Sequence, residues 1–267
     1  MLELGEANPS EPMNPNLHPV SRARLQSERA FTRLELLVIL VVVALLLTLR
    51  LSALAATKDQ TLRGQCAGHL RQIALTTTIL ATDNGDKLPV NINGNWAWDM
   101  SGNVGNTYTN FMPLQNMYCP GSGFNYDDNN GLWGYAGGQI HVIGYGQTLP
   151  GTLAVASSNY NATLTPQRIQ AGVILLPAPL ASQRVLFADA TISSFGQSDP
   201  TQVSKYQWTD IAGGFPKHHR TSHMDGALPV GGNLAMLDGH VEWRSFPQML
   251  PRTVSSVNGV ADPVFWW

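Results

Sequence analysis

The sequence predicts an α+β protein in which a long N-terminal helix packs on a predominantly antiparallel β-sheet. An apolar run covers residues 30–49, and apolar residues then recur at helical spacing as far as Leu80. The C-terminal half instead contains short apolar runs bounded by Pro and Gly, at 171–176 and 184–188, which are typical of strands. These two patterns together favour a helical spine and a β-rich head.

The apolar run is long enough to enter a bilayer, and three arginines lie just before it. The positive-inside rule then places the N terminus in the cytoplasm and the head in the periplasm, so we expect a single-pass inner-membrane protein. Glu35 is the acid within this run. Because a carboxylate in a membrane segment costs about 2.5–3.5 kcal/mol, we expect it to have a cationic partner.

Ala30, Phe31, Thr32 and Glu35, followed by the apolar run, resemble the N-terminal signature of type IV prepilins and type II secretion pseudopilins. The resemblance implies cleavage by a prepilin peptidase between Ala30 and Phe31, and N-methylation of Phe31. It also implies that the new terminal amine pairs with Glu35 of a neighbouring subunit during fibre assembly. Ala30 stands where the family usually has Gly, and Arg33 where it usually has an apolar residue.

Two other interpretations of the N terminus stay open. One is a plain signal anchor with an incidental acid, and the other is a secretory signal peptide cut after Ala53-Leu54-Ala55. Translation can begin at Met1 or at Met13.

The prepilin interpretation divides the chain into four parts. These are a leader at 1–30, a transmembrane half of the spine at 31–50, an amphipathic half at 51–83, and a periplasmic head at 84–267 with a hairpin at 233–244. The Asp83-Asn84-Gly85-Asp86 cluster is a helix stop signal. Charged residues make up only 13% of the 267-residue chain, the formal net charge is −2, and there is no basic stripe. Nucleic acid is therefore not an expected partner.

Residues 65–73 resemble the Cys-x-x-Asn-Leu-Arg-Gln segment of pseudopilin-like proteins abundant in Planctomycetes and Verrucomicrobia, and Tyr118-Cys119-Pro120 extends that likeness. For Cys66 and Cys119, both a disulfide bond and two free thiols stay open. Residues 218–246 resemble the processing-associated domain named for a histidine, nine intervening residues and Asp-Gly. His223 departs from that pattern, with fourteen residues between it and Asp238.

Asp238-Gly239 lies between two alternating runs and predicts a tight hairpin with positive φ at both turn positions. In such a hairpin, Leu234 and Met236 share a face with Val241 and Trp243.

We expect no cofactor, although two groups of residues could bind a metal ion. Asp127 and Asn129 lie in a cluster of oxygen donors of the kind that calcium uses, but without the bidentate Glu of an EF-hand. His223 and His240, with their neighbours His218 and His219, are metal-ligand types without a fixed zinc spacing. We therefore favour a turn for the first group and hydrogen-bonded loop histidines for the second.

We expect a structural, non-enzymatic subunit of a type II secretion pseudopilus or type IV pilus-like fibre. Its expected partners are the prepilin peptidase, other pseudopilin subunits, the inner membrane and the secretion machinery. One alternative is a tethered or secreted binding module whose Trp/Asn-rich loops, with Trp96 and Trp98, bind carbohydrate or another exported ligand. A second is a secreted hydrolase that uses His223 and Asp225.

Overall fold

The computed structural model describes residues 32–92, 94–123, 131–156, 158–171, 174–213, 218–253, 256–257, 260–261 and 263–267. It divides into two compact units, residues 1–50 and 51–267. The predicted leader at 1–30, with the cleavage-site residues Ala30 and Phe31, and the calcium candidates Asp127 and Asn129 lie outside the described residues.

Helix α1 runs from Arg33 to Asp83. Thr32 begins it with a capping box: the Glu35 backbone N donates to Thr32 Oγ1 at 3.2 Å, and the Thr32 backbone N donates to Glu35 Oε2 at 2.8 Å. The helix ends at the predicted stop signal, where Gly85 and Asp86 adopt positive φ angles of 64° and 72°. In the larger unit, α1 buries a stripe of side chains against the head: Cys66, Leu70, Ile73, Ala74, Thr77 and Ala81.

Helix α2, Gly102–Thr109, is short. The remaining elements are brief strands joined by 3₁₀ turns and loops. The strands are β1 Asp99–Ser101, β2 Ile140–Val142, β3 Tyr145–Gln147, β4 Ile169–Ala171, β5 Ile174–Leu176, β6 Val185–Asp189, β7 Ile192–Ser193, β8 Met224–Asp225, β9 Leu228–Pro229, β10 Gly231–Met236, β11 Val241–Ser245, β12 Ser256–Val257, β13 Val260–Ala261 and β14 Val264–Phe265.

Four of these strands form one antiparallel sheet in the order β11-β10-β6-β3. Five further pairs form separate two-stranded antiparallel sheets: β1-β2, β4-β5, β7-β14, β8-β9 and β12-β13. Strands β6 and β10 are buried along their whole length, so the main core lies against the centre of the four-stranded sheet.

The structure combines α and β elements, but the predicted architecture, a membrane-spanning helix on one antiparallel sheet, and the predicted location are wrong. Several small sheets replace the single sheet, because most strands here are only two or three residues long and are interrupted by turns. Within the described part of the chain, no helix is both long enough and apolar enough to cross a membrane. A membrane-spanning first half of the spine and a single-pass inner-membrane topology are therefore not supported.

The hairpin between β10 and β11 forms around Asp238-Gly239 as predicted, but its geometry differs. Gly239 N donates to Met236 O at 2.9 Å, and of the two turn residues only Gly239 has positive φ, at 89°. This three-residue loop shifts the register by one residue, so Ala235 pairs with Val241 and Leu234 with Glu242. Directly paired residues share a face, so the predicted grouping of Leu234 with Val241 and Trp243 is wrong.

Candidate functional site

Four side chains with metal-ligand atoms converge in the core of the larger unit. Cys66 Sγ lies 2.6 Å from both Cys119 Sγ and Asp189 Oδ1. His223 Nε2 lies 3.5 Å from Cys119 Sγ and 3.2 Å from Asp189 Oδ2. One ligand atom from each of the four residues lies within 4.8 Å of the others, and no residue is more than 1% exposed. We call these four residues the thiol cluster.

The members of the thiol cluster come from four separate segments. Cys66 projects from the buried stripe of α1, and Asp189 is the last residue of β6. Cys119 immediately precedes a 3₁₀ turn that begins at Pro120, and His223 immediately precedes β8. The cluster therefore connects the helix, the central sheet and two loops.

Two glycines allow the loops to approach this closely. A Cβ atom at Gly144 would lie 2.8 Å from the Cys119 backbone N. A Cβ atom at Gly121 would lie 2.6 Å from Ser222 O and 2.9 Å from His223 Cε1. Backbone and ring atoms at these distances have little room to move, so a larger residue at either position would displace Cys119 or His223.

Asn233 of β10 donates two hydrogen bonds to one carboxylate oxygen of Asp189. Its backbone N donates to Asp189 Oδ2 at 2.7 Å, and its side-chain Nδ2 donates to the same oxygen at 3.1 Å. Asn233 Nδ2 also lies 3.1 Å from the carbonyl oxygen of Arg63 in α1. The second carboxylate oxygen, Oδ1, is left facing Cys66.

An aromatic and cationic stack covers the histidine side of the thiol cluster. The ring of Trp243 meets the His223 ring edge to face, with centroids 5.3 Å apart. The Arg63 guanidinium lies 4.1 Å from the centroid of the Trp243 ring. Trp243 of β11, with Arg63 of α1 over its ring, therefore packs against the imidazole of the cluster.

The surroundings shift the pKa values of the two cysteines and of His223 in different directions. Burial raises the pKa of Cys66, and its hydrogen bond to Cys119 adds to that rise. Burial also acts to raise the pKa of Cys119, but hydrogen bonds from Cys66 and His223 hold it below its usual value. Burial acts to lower the pKa of His223, yet bonding to Asp189 and Cys119 raises it to about 10. Without a metal, Cys119 is therefore the thiol that ionises more readily, next to a protonated imidazole.

The structure separates the other histidines from this cluster. His218 pairs with Asp210 at 2.6 Å, and His240 pairs with Asp238 at 2.6 Å, both at the surface. His219 stacks on Trp98 with ring centroids 4.1 Å apart. Of the histidines considered from the sequence, His223 alone joins a group of metal-ligand side chains in the described part of the chain.

The hydrolase residues do not form a triad. His223 pairs with Asp189, whereas Asp225 is exposed in β8. Ser222, the residue before His223, is 3% exposed, and its Oγ has no hydrogen-bond partner among the described residues. The arrangement gives the serine no general base.

Trp96 and Trp98 are buried, at 6% and 1% exposure. Trp98 meets Phe265 edge to face at 5.0 Å, in addition to its stack on His219. Neither indole offers a free face to a sugar, so these two residues serve the core.

In the smaller unit, Glu35 accepts hydrogen bonds at the N terminus of α1. Glu35 Oε2 accepts hydrogen bonds from the Thr32 backbone N at 2.8 Å and from Thr32 Oγ1 at 3.0 Å. These bonds lower the pKa of Glu35. The carboxylate thus completes the helix N-terminus through hydrogen bonds from Thr32.

Sequence reasoning missed Asp189 and Asn233 as site residues. Asp189 ends an apolar strand, and a polar residue at that point is a weak signal that many surface loops share. Cys66 and Cys119 were noted, but their spacing of 53 residues gives no indication of contact.

The chain matches no family model, no curated protein and no solved structure.

Proposed function

We propose that this protein is a non-enzymatic structural subunit that assembles with copies of itself through the first part of α1, as the pseudopilin resemblance implies. One observation carries the proposal. All eleven Leu, Ile and Val side chains from Leu34 to Leu46 are between 45% and 73% exposed. A contiguous apolar surface of this kind on a single chain indicates an interaction site.

The distribution of these side chains favours several identical partners over one. Successive residues of a helix project about 100° apart, so an uninterrupted apolar run covers every side of the helix. A single flat partner surface would cover one side only. Neighbouring copies of the same helix, packed around one another, cover all sides with matching length and chemistry.

Glu35 sits at the start of this segment, with its charge exposed. In a packed array of helices, a neighbouring chain's N-terminal amine supplies a cationic partner for this carboxylate. Cleavage after Ala30 and methylation of Phe31 by a prepilin peptidase would create that amine. The same resemblance implies that the assembled copies form a secretion fibre.

The assembly test uses the full-length protein and two single substitutions. Val42→Glu places a charge in the apolar segment, and Phe195→Glu places the same charge on another large residue, which is 53% exposed. Sedimentation velocity and negative-stain electron microscopy should show fibres or large oligomers for wild type and Phe195→Glu, and loss of them for Val42→Glu. A wild-type protein that stays monomeric, or that only binds detergent micelles, would contradict the proposal.

A third variant separates the capping role of Glu35 from an assembly role. Glu35→Gln keeps the capping box, because Gln also serves at that position, but removes the charge. Circular dichroism should therefore be unchanged while assembly falls. Mass spectrometry of the mature N terminus from the native host should find a peptide that begins at an N-methylated Phe31. A start at Ala56 would remove both Glu35 and the apolar segment, and the proposal with them.

A further inference from the structure

We propose that Cys66, Cys119, Asp189 and His223 form a structural zinc site that cross-links α1, β6 and two loops of the larger unit. This proposal is independent of how the chain assembles.

The donor atoms match zinc in type and number. Zinc in structural sites takes four ligands, drawn from thiolate sulfur, imidazole nitrogen and carboxylate oxygen. The thiol cluster offers two sulfurs, one Nε2 and one carboxylate from four segments that lie far apart in the sequence. Hard cations such as calcium and magnesium prefer oxygen ligands, so the two sulfurs argue against them.

The burial of the thiol cluster indicates a structural site. Catalytic zinc sites keep one coordination position open for water or substrate, whereas structural sites are closed by four protein ligands. Here four protein side chains converge, and each is at most 1% exposed. Burial of all four side chains leaves none of these donors exposed to a substrate at the surface.

The outer partners of the thiol cluster resemble those of a metal site. Ligating carboxylates are commonly oriented by hydrogen bonds from neighbouring groups. Asn233 supplies two such bonds to Asp189 Oδ2 and leaves Oδ1 facing Cys66. Two thiolates, one carboxylate and a neutral imidazole carry three negative charges, which a divalent cation reduces to one.

A disulfide between Cys66 and Cys119 is the competing interpretation, and it explains less. Both cysteines are free thiols in the structure. A disulfide sulfur has no proton to donate, so the buried Asp189 Oδ1, which lies 2.6 Å from Cys66 Sγ, would face sulfur without a donor. An unsatisfied buried group of this kind is destabilising. A disulfide also gives no reason for His223 to converge on the same point.

Metal binding requires one specific rearrangement. Ligand bonds of about 2.3 Å to sulfur in a tetrahedron put two sulfurs about 3.8 Å apart. The present Sγ–Sγ separation is 2.6 Å, so the two thiolates must move apart when the ion enters. Because the ligands are two Cys, one His and one Asp, extended X-ray absorption fine structure of the zinc-loaded protein should show a mixed shell of two sulfurs and two lighter atoms.

The first experiment measures metal in the full-length wild-type protein, purified under reducing conditions from zinc-supplemented medium. Mass spectrometry of the element should find about one zinc per chain. After chelator treatment, cobalt should restore the absorption bands of a tetrahedral thiolate site, and zinc should raise the thermal midpoint. These wild-type measurements do not depend on the folding of any variant.

Variants then test the ligand set. Cys119→Ser, Asp189→Asn and His223→Gln should each lower zinc affinity at least about 100-fold, more than loss of an outer partner does. His240→Gln, at an exposed histidine that pairs with Asp238, is the matched control and should bind zinc like wild type. Folded wild-type protein that takes up neither zinc nor cobalt would overturn the proposal. So would a mass two hydrogens lower, with no titratable thiols, in wild-type protein purified without reductant, which would establish the disulfide instead.

Discussion

Asn233 donates two hydrogen bonds to one oxygen of Asp189, from its backbone N at 2.7 Å and from its side-chain Nδ2 at 3.1 Å. The same Nδ2 lies 3.1 Å from the Arg63 carbonyl oxygen. One amide therefore connects β10, the acid at the end of β6, and α1.

Asn233→Ala should destabilise the fold by about 1–3 kcal/mol, because it removes the side-chain donor to a buried carboxylate while keeping the backbone bond. If the thiol cluster binds zinc, the same change should lower zinc affinity about 10–100-fold. Urea denaturation and competition with a chelator measure the two effects. Asn103→Ala, at an exposed position in α2, is the control. Equal stability of the two variants would show that the bonds to Asp189 contribute nothing.

Trp98→Ala should cost about 3–5 kcal/mol of unfolding free energy, because a buried indole leaves a large cavity between His219 and Phe265. Phe195→Ala, at a 53% exposed ring, should change stability by less than about 0.5 kcal/mol. Denaturant midpoints provide the comparison. A Trp98 variant that keeps its stability and loses binding to an exported carbohydrate would favour the binding-module alternative instead.

Gly239→Ala should destabilise the β10–β11 hairpin by about 1–2 kcal/mol, because a side chain is strained at its φ of 89° even though space is open. Gly68→Ala should have the opposite effect on stability. Gly68 is exposed within α1 and a Cβ there meets no atom within 4 Å, so alanine should stabilise the protein by about 0.4–1 kcal/mol. Thermal midpoints that move in the same direction for both variants would contradict this account.

Stability should fall as pH rises above about 10, in part through Tyr108. Burial raises the pKa of Tyr108, although its hydrogen bond with Thr77 Oγ1, 2.6 Å long, acts to lower it. The folded state then keeps a phenol proton that the unfolded chain releases, so alkali favours unfolding.

Tyr108→Phe should make this decline shallower, and Tyr160→Phe, at a 36% exposed ring, should leave it unchanged. Thermal midpoints between about pH 8 and 11 measure the slope. Burial also raises the pKa of Tyr145, so part of the decline should persist in the Tyr108 variant. An unchanged slope would exclude Tyr108 as a contributor.

Local patterns determined the helix and the hairpin. The stripe through Cys66, Leu70 and Ile73 repeats at helical spacing, and Asp238-Gly239 interrupts an alternating pattern, so short-range backbone preferences are enough to place both elements. The exact hairpin register was not predictable in this way, because a two-residue and a three-residue loop suit the same Asp-Gly pair. Pairing of Ala235 with Phe187 of β6 accompanies the observed register.

Tertiary structure alone decided the thiol cluster and the extent of the sheets. Cys66 and Asp189 are 123 residues apart, and Cys119 and His223 are 104 apart, so no spacing in the sequence records their contact. Their proximity depends on α1, β6 and two glycine-lined loops packing into one core. Sequence by itself determined which residues carry reactive side chains and where the long helix α1 lies. Long-range packing determined which of those side chains meet, because contacts between distant segments depend on the whole core rather than on local preference.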